Sequence, residues 1–312
     1  MSIQRAADVL MIRPVRFLGN PQTSATNAFQ GAAALSEDAA QQSALAEFET
    51  LTAALARAGV GVHVIDDTPE PHTPDSIFPN NWVSFHADGT AVLYPMLAPN
   101  RRAERREDVL AKLTAEHGFH ISRVIDLTHH ERDGKFLEGT GSLVLDRVNR
   151  IAYACISPRT DLDVLGDFAQ QLDYEIVAFE AADANGVPIY HTNVMMAVGE
   201  RFAAVCSASI REDKRADVVE MLGRTGHAVL DLSHEQVLAF AGNMLELATA
   251  SGGAIAAMSQ RALDSLSPDQ RSFIEQHAGP IVAVPIPTIE TLGGGSARCM
   301  LAEVHLPRRA NK

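Results

Sequence analysis

Leu222-Gly223-Arg224-Thr225-Gly226-His227-Ala228-Val229-Leu230-Asp231-Leu232 is the stretch that decides the fold. A helix-like segment stops at Gly226, and a short apolar, strand-like run, His227–Leu232, follows at once. The same succession occurs four more times. Gly59 precedes Val60–Ile65, Gly118 precedes Phe119–Leu127, Asp173 precedes Tyr174–Phe179, and Gly279 precedes Pro280–Pro285. Successive stops lie 59, 55, 53 and 53 residues apart. This is a fivefold internal repeat, written in pattern and not in identical residues. Such a repeat specifies architecture before any motif is invoked, because each unit is one supersecondary element that buries its apolar face against its neighbours. The expectation is an α/β protein, a closed five-bladed propeller with helices outside, forming one domain over residues 1–312. A site belongs on the axis where the repeats meet.

Each unit reads as a strand pair, a helix and a final strand. The first helix begins near Ser36 and carries Leu45, Phe48, Leu51 and Leu55 on one face. Trp82–Phe85 and Thr90–Tyr94 flank the turn Ala87-Asp88-Gly89, and a charged amphipathic helix runs from about Ala103 to Glu116. In the third unit Ser142–Leu145 and Arg150–Ile156 form the pair, with Thr160 as helix cap. Val194–Val198 and Phe202–Cys206 flank Gly199-Glu200 in the fourth. In the fifth, Ser267-Pro268-Asp269-Gln270 is a capping box with proline at the first helical position. The tail, Cys299–Leu306, reads as a strand that closes the ring together with Leu10–Val15.

Composition bounds the function class. The chain has 312 residues, 46% hydrophobic and 21% charged, enough for a substantial core. A net charge of −13 disfavours nucleic acid and anionic membranes as partners. No apolar run approaches the roughly 18 residues of a membrane span, and Met1–Arg16 has no secretory h-region. Three scattered cysteines make neither a disulfide framework nor a zinc site, which points to a reduced, cytoplasmic protein. There is no phosphate loop, dinucleotide fingerprint or metal-ligand cluster, so neither cofactor nor metal is expected. Self-association is left open.

Polar residues open an otherwise apolar strand in four successive units. The segments are Pro74-Asp75-Ser76-Ile77-Phe78-Pro79-Asn80-Asn81, Leu137-Glu138-Gly139-Thr140-Gly141, His191-Thr192-Asn193 and Gly293-Gly294-Gly295-Ser296-Ala297-Arg298-Cys299. Arranged as blades, they converge at one end of the axis. Cys299 is the candidate nucleophile, because its triple-glycine approach admits close backbone contact and Arg298 is a cation that would favour thiolate. Cys155 and Cys206, inside apolar runs, read as small core hydrophobes. His191 is the candidate acid/base; it stands 53 residues after Glu138, one unit on, and Glu138 would orient its ring. Arg102 and Arg159 open the helical parts of the second and third units and suit a bidentate grip on a carboxylate.

In this order, the segments resemble the guanidine-modifying, or pentein, superfamily of arginine deiminases, dimethylarginine hydrolases and amidinotransferases, and most of all the deiminase-related citrulline-utilisation hydrolases (CtlX type). The resemblance covers nearly the whole chain and implies a five-bladed pseudo-symmetric α/β propeller. It implies Cys299 as nucleophile, His191 as catalytic histidine and Glu138 as its acidic partner. It also implies Arg102 and Arg159 as holders of the substrate carboxylate, and Asp75, Asn80, Asn81 and Asn193 as readers of the terminal group.

Deiminases usually carry carboxylates where this chain has Asn81, Gly141 and Asn193. A carboxylate neutralises a guanidinium; asparagine both donates and accepts hydrogen bonds, which matches a neutral ureido group. The expectation is therefore a cofactor-free hydrolysis of citrulline to ornithine, ammonia and carbon dioxide. The alternatives are the same mechanism on arginine, agmatine or a methylated arginine, amidino transfer, and a non-catalytic binding protein of the same fold. With an uncharged substrate, the resting thiolate would need a protonated His191 or Arg298 beside it.

Overall fold

A computed structural model describes residues 3–309. Among the described residues, fifteen strands form five separate three-stranded sheets, each with the same topology. In the first, β1 (Asp8–Arg13) pairs in parallel with β2 (Gly61–Asp66) and antiparallel with the last strand of the chain, β15 (Ala302–Val304). The second holds β3 (Val83–Phe85), β4 (Thr90–Leu93) and β5 (Arg123–Asp126), and the third β6 (Leu143–Asp146), β7 (Ile151–Cys155) and β8 (Glu175–Phe179). The fourth holds β9 (Met196–Val198), β10 (Phe202–Val205) and β11 (Ala228–Asp231), and the fifth β12 (Leu245–Ala248), β13 (Ala254–Ser259) and β14 (Ile281–Val284). Every middle strand has one antiparallel and one parallel neighbour. Pairing of the tail strand β15 with β1 closes the ring, as the sequence predicts.

Burial separates inner from outer strands. β3, β6 and β15 are buried along their whole length, whereas β2, β5, β8, β11 and β14 are half exposed. The antiparallel first strands therefore stand around the axis: β15 runs beside β3, β6 beside β9, and β9 beside β12. A parallel pair needs a crossover, and each blade supplies a helix for it: Glu37–Arg57, Glu107–Ala115, Leu162–Leu172, Glu212–Arg224 and Pro268–Ala278. Each helix presents a single buried stripe to its sheet. In the third it is Val164, Leu165, Phe168 and Leu172.

The five stops share a positive φ, although ψ differs between Asp173, at 54°, and Gly279, at −168°. Gly59, Gly118, Asp173, Gly226 and Gly279 have φ of 90°, 72°, 57°, 88° and 90°, the sign of φ with which helices commonly end. Ser36 and Ser267 cap their helices as expected, the latter in a complete capping box. Other details differ. Asp161, not Thr160, caps the third helix, because its carboxylate reaches the Asp163 N–H while Thr160 is buried in the preceding turn. Ala44 replaces Leu45 on the buried face of the first helix. The second helix starts at Glu107, since Pro99–Glu104 winds into 3₁₀ turns. Phe119 lies outside β5, paired instead with Arg308. No helix among the described residues is long and apolar enough to cross a membrane.

Candidate active site

The polar openings do not extend the inner strands. Each folds into a short helical turn immediately before one: Pro79–Asn81 before β3, Gly139–Ser142 before β6, Thr192–Val194 before β9 and Ala297–Met300 before β15. Cys299 is thus on a turn, not on the tail strand. A polar group at the end of a buried strand has no ladder partner, so the chain turns to satisfy its own backbone there. The fifth inner strand obeys the same rule. Asn243, two residues before β12, reaches the same place, and the sequence reading passed over it. Its signal was available: Gly242-Asn243 precedes the strand-like run Leu245–Ala248, 50 residues after Asn193.

These turns meet in one narrow cavity lined by Asp75, Asn81, Arg101, Arg159, His191, Cys299 and the Gly293–Gly295 loop, among others. About 10 Å³ inside it is free, room for roughly one water. Cys299 is 3% exposed. Two side-chain amides donate toward its sulfur, Asn243 Nδ2 at 3.3 Å and Asn193 Nδ2 at 3.5 Å, an arrangement that suits an anion at Sγ. Asn243 also donates to the Asn193 carbonyl and accepts from the Arg298 N–H, so it ties two blades to the nucleophile turn. The Arg298 side chain turns away, donating to the Leu301 carbonyl and to Glu303 at 2.8 Å. It is not the cation beside the thiol that the sequence suggests.

His191 and Glu138 meet as expected: Nε2 lies 2.8 Å from Glu138 Oε2. Burial pushes the Glu138 carboxyl up, but Arg159, His191 and Arg101 outweigh it and hold it well below the usual carboxylate range. The ionised carboxylate therefore accepts the hydrogen bond of Nε2–H, which leaves Nδ1 as the unprotonated ring nitrogen. Burial also lowers His191 to about 4, against the pull of Glu138. The resting imidazole is neutral near pH 7, which corrects the expected ion pair with the thiolate. The ring packs so closely that a Cβ at Gly141 would stand 2.7 Å from His191 Nδ1 and 2.4 Å from Asn81 Nδ2. A deiminase-like carboxylate has no room at that position.

The arginines divide differently from the sequence assignment. Arg159 lines the cavity, its guanidinium over the Tyr190 ring at 5.0 Å, donating to the Thr23 carbonyl, Thr26 Oγ1 and Glu138. Arg102 does not reach the cavity. It donates to the Met96 carbonyl, lies 3.4 Å from Glu131 and faces a separate surface hollow. Its neighbour Arg101 points inward instead, because adjacent residues on a 3₁₀ turn face different directions. Arg101 is 2% exposed, clamped by Glu104 at 2.9 and 3.0 Å, and donates to Asn81 Oδ1 at 3.0 Å. It lies 3.5 Å from Asp75 and 3.7 Å from Glu138.

Four buried side-chain polar atoms of the predicted readers remain without a partner near this centre. Asp75 receives Asn20 Nδ2 at 2.7 Å on Oδ2, but its Oδ1 has none. Asn81 Nδ2 has none, because Arg101 holds the other end of the amide. Neither polar atom of the Asn80 side chain is partnered, although Asn80 is not part of the cavity wall. Native interiors rarely leave such atoms unmatched, so their grouping here marks a ligand's place.

The sequence matches the family model for N,N dimethylarginine dimethylhydrolase, eukaryotic, over residues 13–306. A search of curated proteins returns no match. Among solved structures, the unliganded cyanobacterial arginine dihydrolase ArgZ superposes with a TM-score of 0.74 at 18% identity, covering 97% of this chain and 41% of that one. The chain thus spans about two fifths of full-length ArgZ. The substrate-bound N-terminal domain of ArgZ, a cysteine-to-serine variant, gives 0.72 at 17% identity and covers 95% and 97%. A dimethylarginine dimethylaminohydrolase, a histidine-to-glycine variant carrying an S-methyl-L-thiocitrulline adduct, gives 0.62 at 14% identity and covers 95% and 99%. The shared fold is that of the pentein propellers.

Proposed function

The chain belongs to the family of N,N dimethylarginine dimethylhydrolases, and from that premise we propose that it is a cysteine-dependent hydrolase of the terminal C–N bond of a ureido or guanidino amino acid, with citrulline preferred. The observation that carries the preference is the pair of unpartnered atoms in one cavity, Asp75 Oδ1 and Asn81 Nδ2. The first accepts and the second donates. A guanidinium has only donors, so it would leave Asn81 Nδ2 unmatched in a buried site. A ureido group carries a carbonyl oxygen for Asn81 and N–H groups for Asp75.

The chemistry follows from the protonation states. Neutral His191 takes the Cys299 thiol proton at Nδ1, and Sγ bonds to the ureido carbon. Collapse of the tetrahedral adduct breaks the bond to the terminal nitrogen, which leaves as ammonia with the proton from His191. Water, deprotonated by His191, then attacks the thiocarbamate carbon and expels the thiolate. The released carbamate splits into ornithine and carbon dioxide. One water is consumed, and no cofactor enters. Glu138 holds the ring and stabilises its charged form in both passes. Arg159 takes the substrate carboxylate by exchanging its bonds to Thr23 and Thr26 for it.

A second reading has its own support. Asp75 Oδ1 is a carboxylate oxygen with no hydrogen-bond partner, Arg101 lying on the Oδ2 side at 3.5 Å, and the fold is shared with arginine dihydrolase ArgZ. In that reading arginine loses ammonia first and the resulting ureido compound follows the route above. Product analysis with citrulline, arginine and asymmetric dimethylarginine separates these. We expect ornithine, ammonia and carbon dioxide from citrulline, with kcat/KM at least tenfold above arginine. Ornithine from arginine at higher kcat/KM installs the two-step reading, and dimethylamine release installs the family's namesake reaction.

A further inference from the structure

The opposite end of the axis holds a second cavity, of about 470 Å³, lined by His86, Asp88, Arg147, Arg150, Tyr174 and His305, among others. That volume lies within the usual range of small-ligand sites. The hairpin turns β3–β4 and β6–β7 shape it, with the residue that follows β15. Their strands begin at the candidate active site, so the two cavities share inner strands and lie a strand length apart, about 13 Å at roughly 3.3 Å per residue.

Two observations mark this cavity as built for a ligand. Arg147 is 3% exposed, yet its guanidinium is only partly matched. Nε lies 3.5 Å from Glu303 and Nη1 donates to the Phe85 carbonyl at 3.4 Å, but Nη2 is buried with no partner. A buried donor without an acceptor is costly. The second observation is in the backbone. Arg150, the last residue before β7, has φ of +60°. The same position before β4 is Gly89, at +85°, and the turn before β13 uses Gly252, at +82°. Glycine adopts this conformation at no steric cost, whereas a side chain is strained by the clash of its Cβ with the following carbonyl. Blade three accepts that strain and places a second guanidinium on the cavity wall, over the Tyr174 ring at 5.0 Å.

The remaining groups cancel only part of this charge: the Glu303 carboxylate lies 3.5 Å from Arg147 but also pairs with Arg298 at 2.8 Å. Burial holds His86 and His305 low, so both are uncharged near pH 7. Asp88, the acid of the wall, is committed to the Thr90 N–H at 2.9 Å and lies 3.7 Å from Arg123. In a chain of net charge −13, a cavity walled by two arginines is a local inversion of sign.

We propose that this cavity is a binding site for a small anion presenting a carboxylate or phosphate group, held by Arg147 and Arg150 with its body against Tyr174 and Leu172. Thermal unfolding of the full chain tests it, with inorganic phosphate and succinate as probes and sodium chloride at matched ionic strength as control. We expect one probe or both to raise the Tm saturably, and the responding probe names the head group. Arg150→Gly should keep or raise the anion-free Tm, since glycine suits the backbone, while weakening the anion response at least tenfold. Arg150→Asn, which also tolerates this conformation, should do the same. Alkylating Cys299 should leave the response intact. The proposal is overturned if neither probe exceeds sodium chloride, if either variant responds like the parent, or if blocking Cys299 abolishes the effect.

Discussion

The two ends of strands β3 and β6 use the same residue types, arginine, histidine and acid, and arrange them in opposite ways. Where the strands begin, Arg101, Arg159, Glu138 and His191 interlock at 2.8 to 3.7 Å around about 10 Å³ of free space. Where they end, Arg147 and Arg150 face an open cavity of about 470 Å³ with one guanidinium nitrogen unmatched. The difference is one of commitment. At the first end the charges hold one another, and the free atoms are those that would read a substrate's terminal group. Preorganised charge of this kind does not have to reorient during reaction, which is where its catalytic value lies. At the other end the cations hold little, and an incoming anion would supply what is missing.

The largest expected effect breaks that contrast at the interlocked end. His191→Ala should lower kcat by about 10²–10⁴-fold, the usual worth of a positioned acid/base, with smaller change in substrate binding. Steady-state kinetics with citrulline check this. Retention of most of the turnover would remove His191 from the mechanism and leave the two ends alike in being mere binding sites.

An intermediate effect concerns stability. Burial lowers His191 from 6.5 to about 4, and His86 and His305 are lowered too. A base depressed in the folded state contributes stability that is present above its unfolded value and lost as pH falls through the folded one. The chain should therefore lose stability between about pH 6.5 and 4, with His191 alone accounting for roughly 3 kcal/mol. Urea midpoints measured across that range should fall steadily in the parent and less steeply in His191→Asn. A flat profile would mean that His191 binds its proton equally well folded and unfolded, so that burial does not depress it; stability that instead fell as pH rose would mean that His191 is charged in the fold, contrary to the mechanism above.

The smallest effect sharpens the comparison between neighbours. Arg102 is one-third exposed and paired with Glu131, so Arg102→Ala should change KM for citrulline less than about twofold. Arg159→Ala should raise it at least tenfold, since this grip acts alike on ground and transition states. A tenfold rise in Arg102→Ala would return the carboxylate grip to the residue the sequence suggested.

That pair shows where sequence reading stops. Arg101 and Arg102 are adjacent and chemically equal, and only the phase of a 3₁₀ turn decides which one enters the cavity. Arg298 is a similar case: beside the nucleophile in sequence, it spends its charge on Glu303. Asn243 was missed for another reason. Its segment carries no histidine or cysteine, and its one acid, Glu246, faces Arg5 at 3.6 Å, so nothing but the repeat pointed to Asn243. The meeting of His191 with Glu138 was legible because both open their strands one repeat apart. The Arg147 cavity was not legible, since its residues sit in turns whose sequences resemble ordinary hairpin loops.

The sequence by itself determined the fivefold repeat, the closure of the ring by the tail strand, and the convergence of Asp75, Asn81, Glu138, His191 and Cys299 at one end of the axis. These follow from periodicity and from helix stops, which are local properties repeated at fixed intervals. Only the tertiary structure decided which arginine faces inward, that His191 rests uncharged, that Gly141 leaves no space for a carboxylate, and which polar atoms remain unmatched. Those depend on burial and on distances of a few ångströms between blades, which no spacing along the chain encodes.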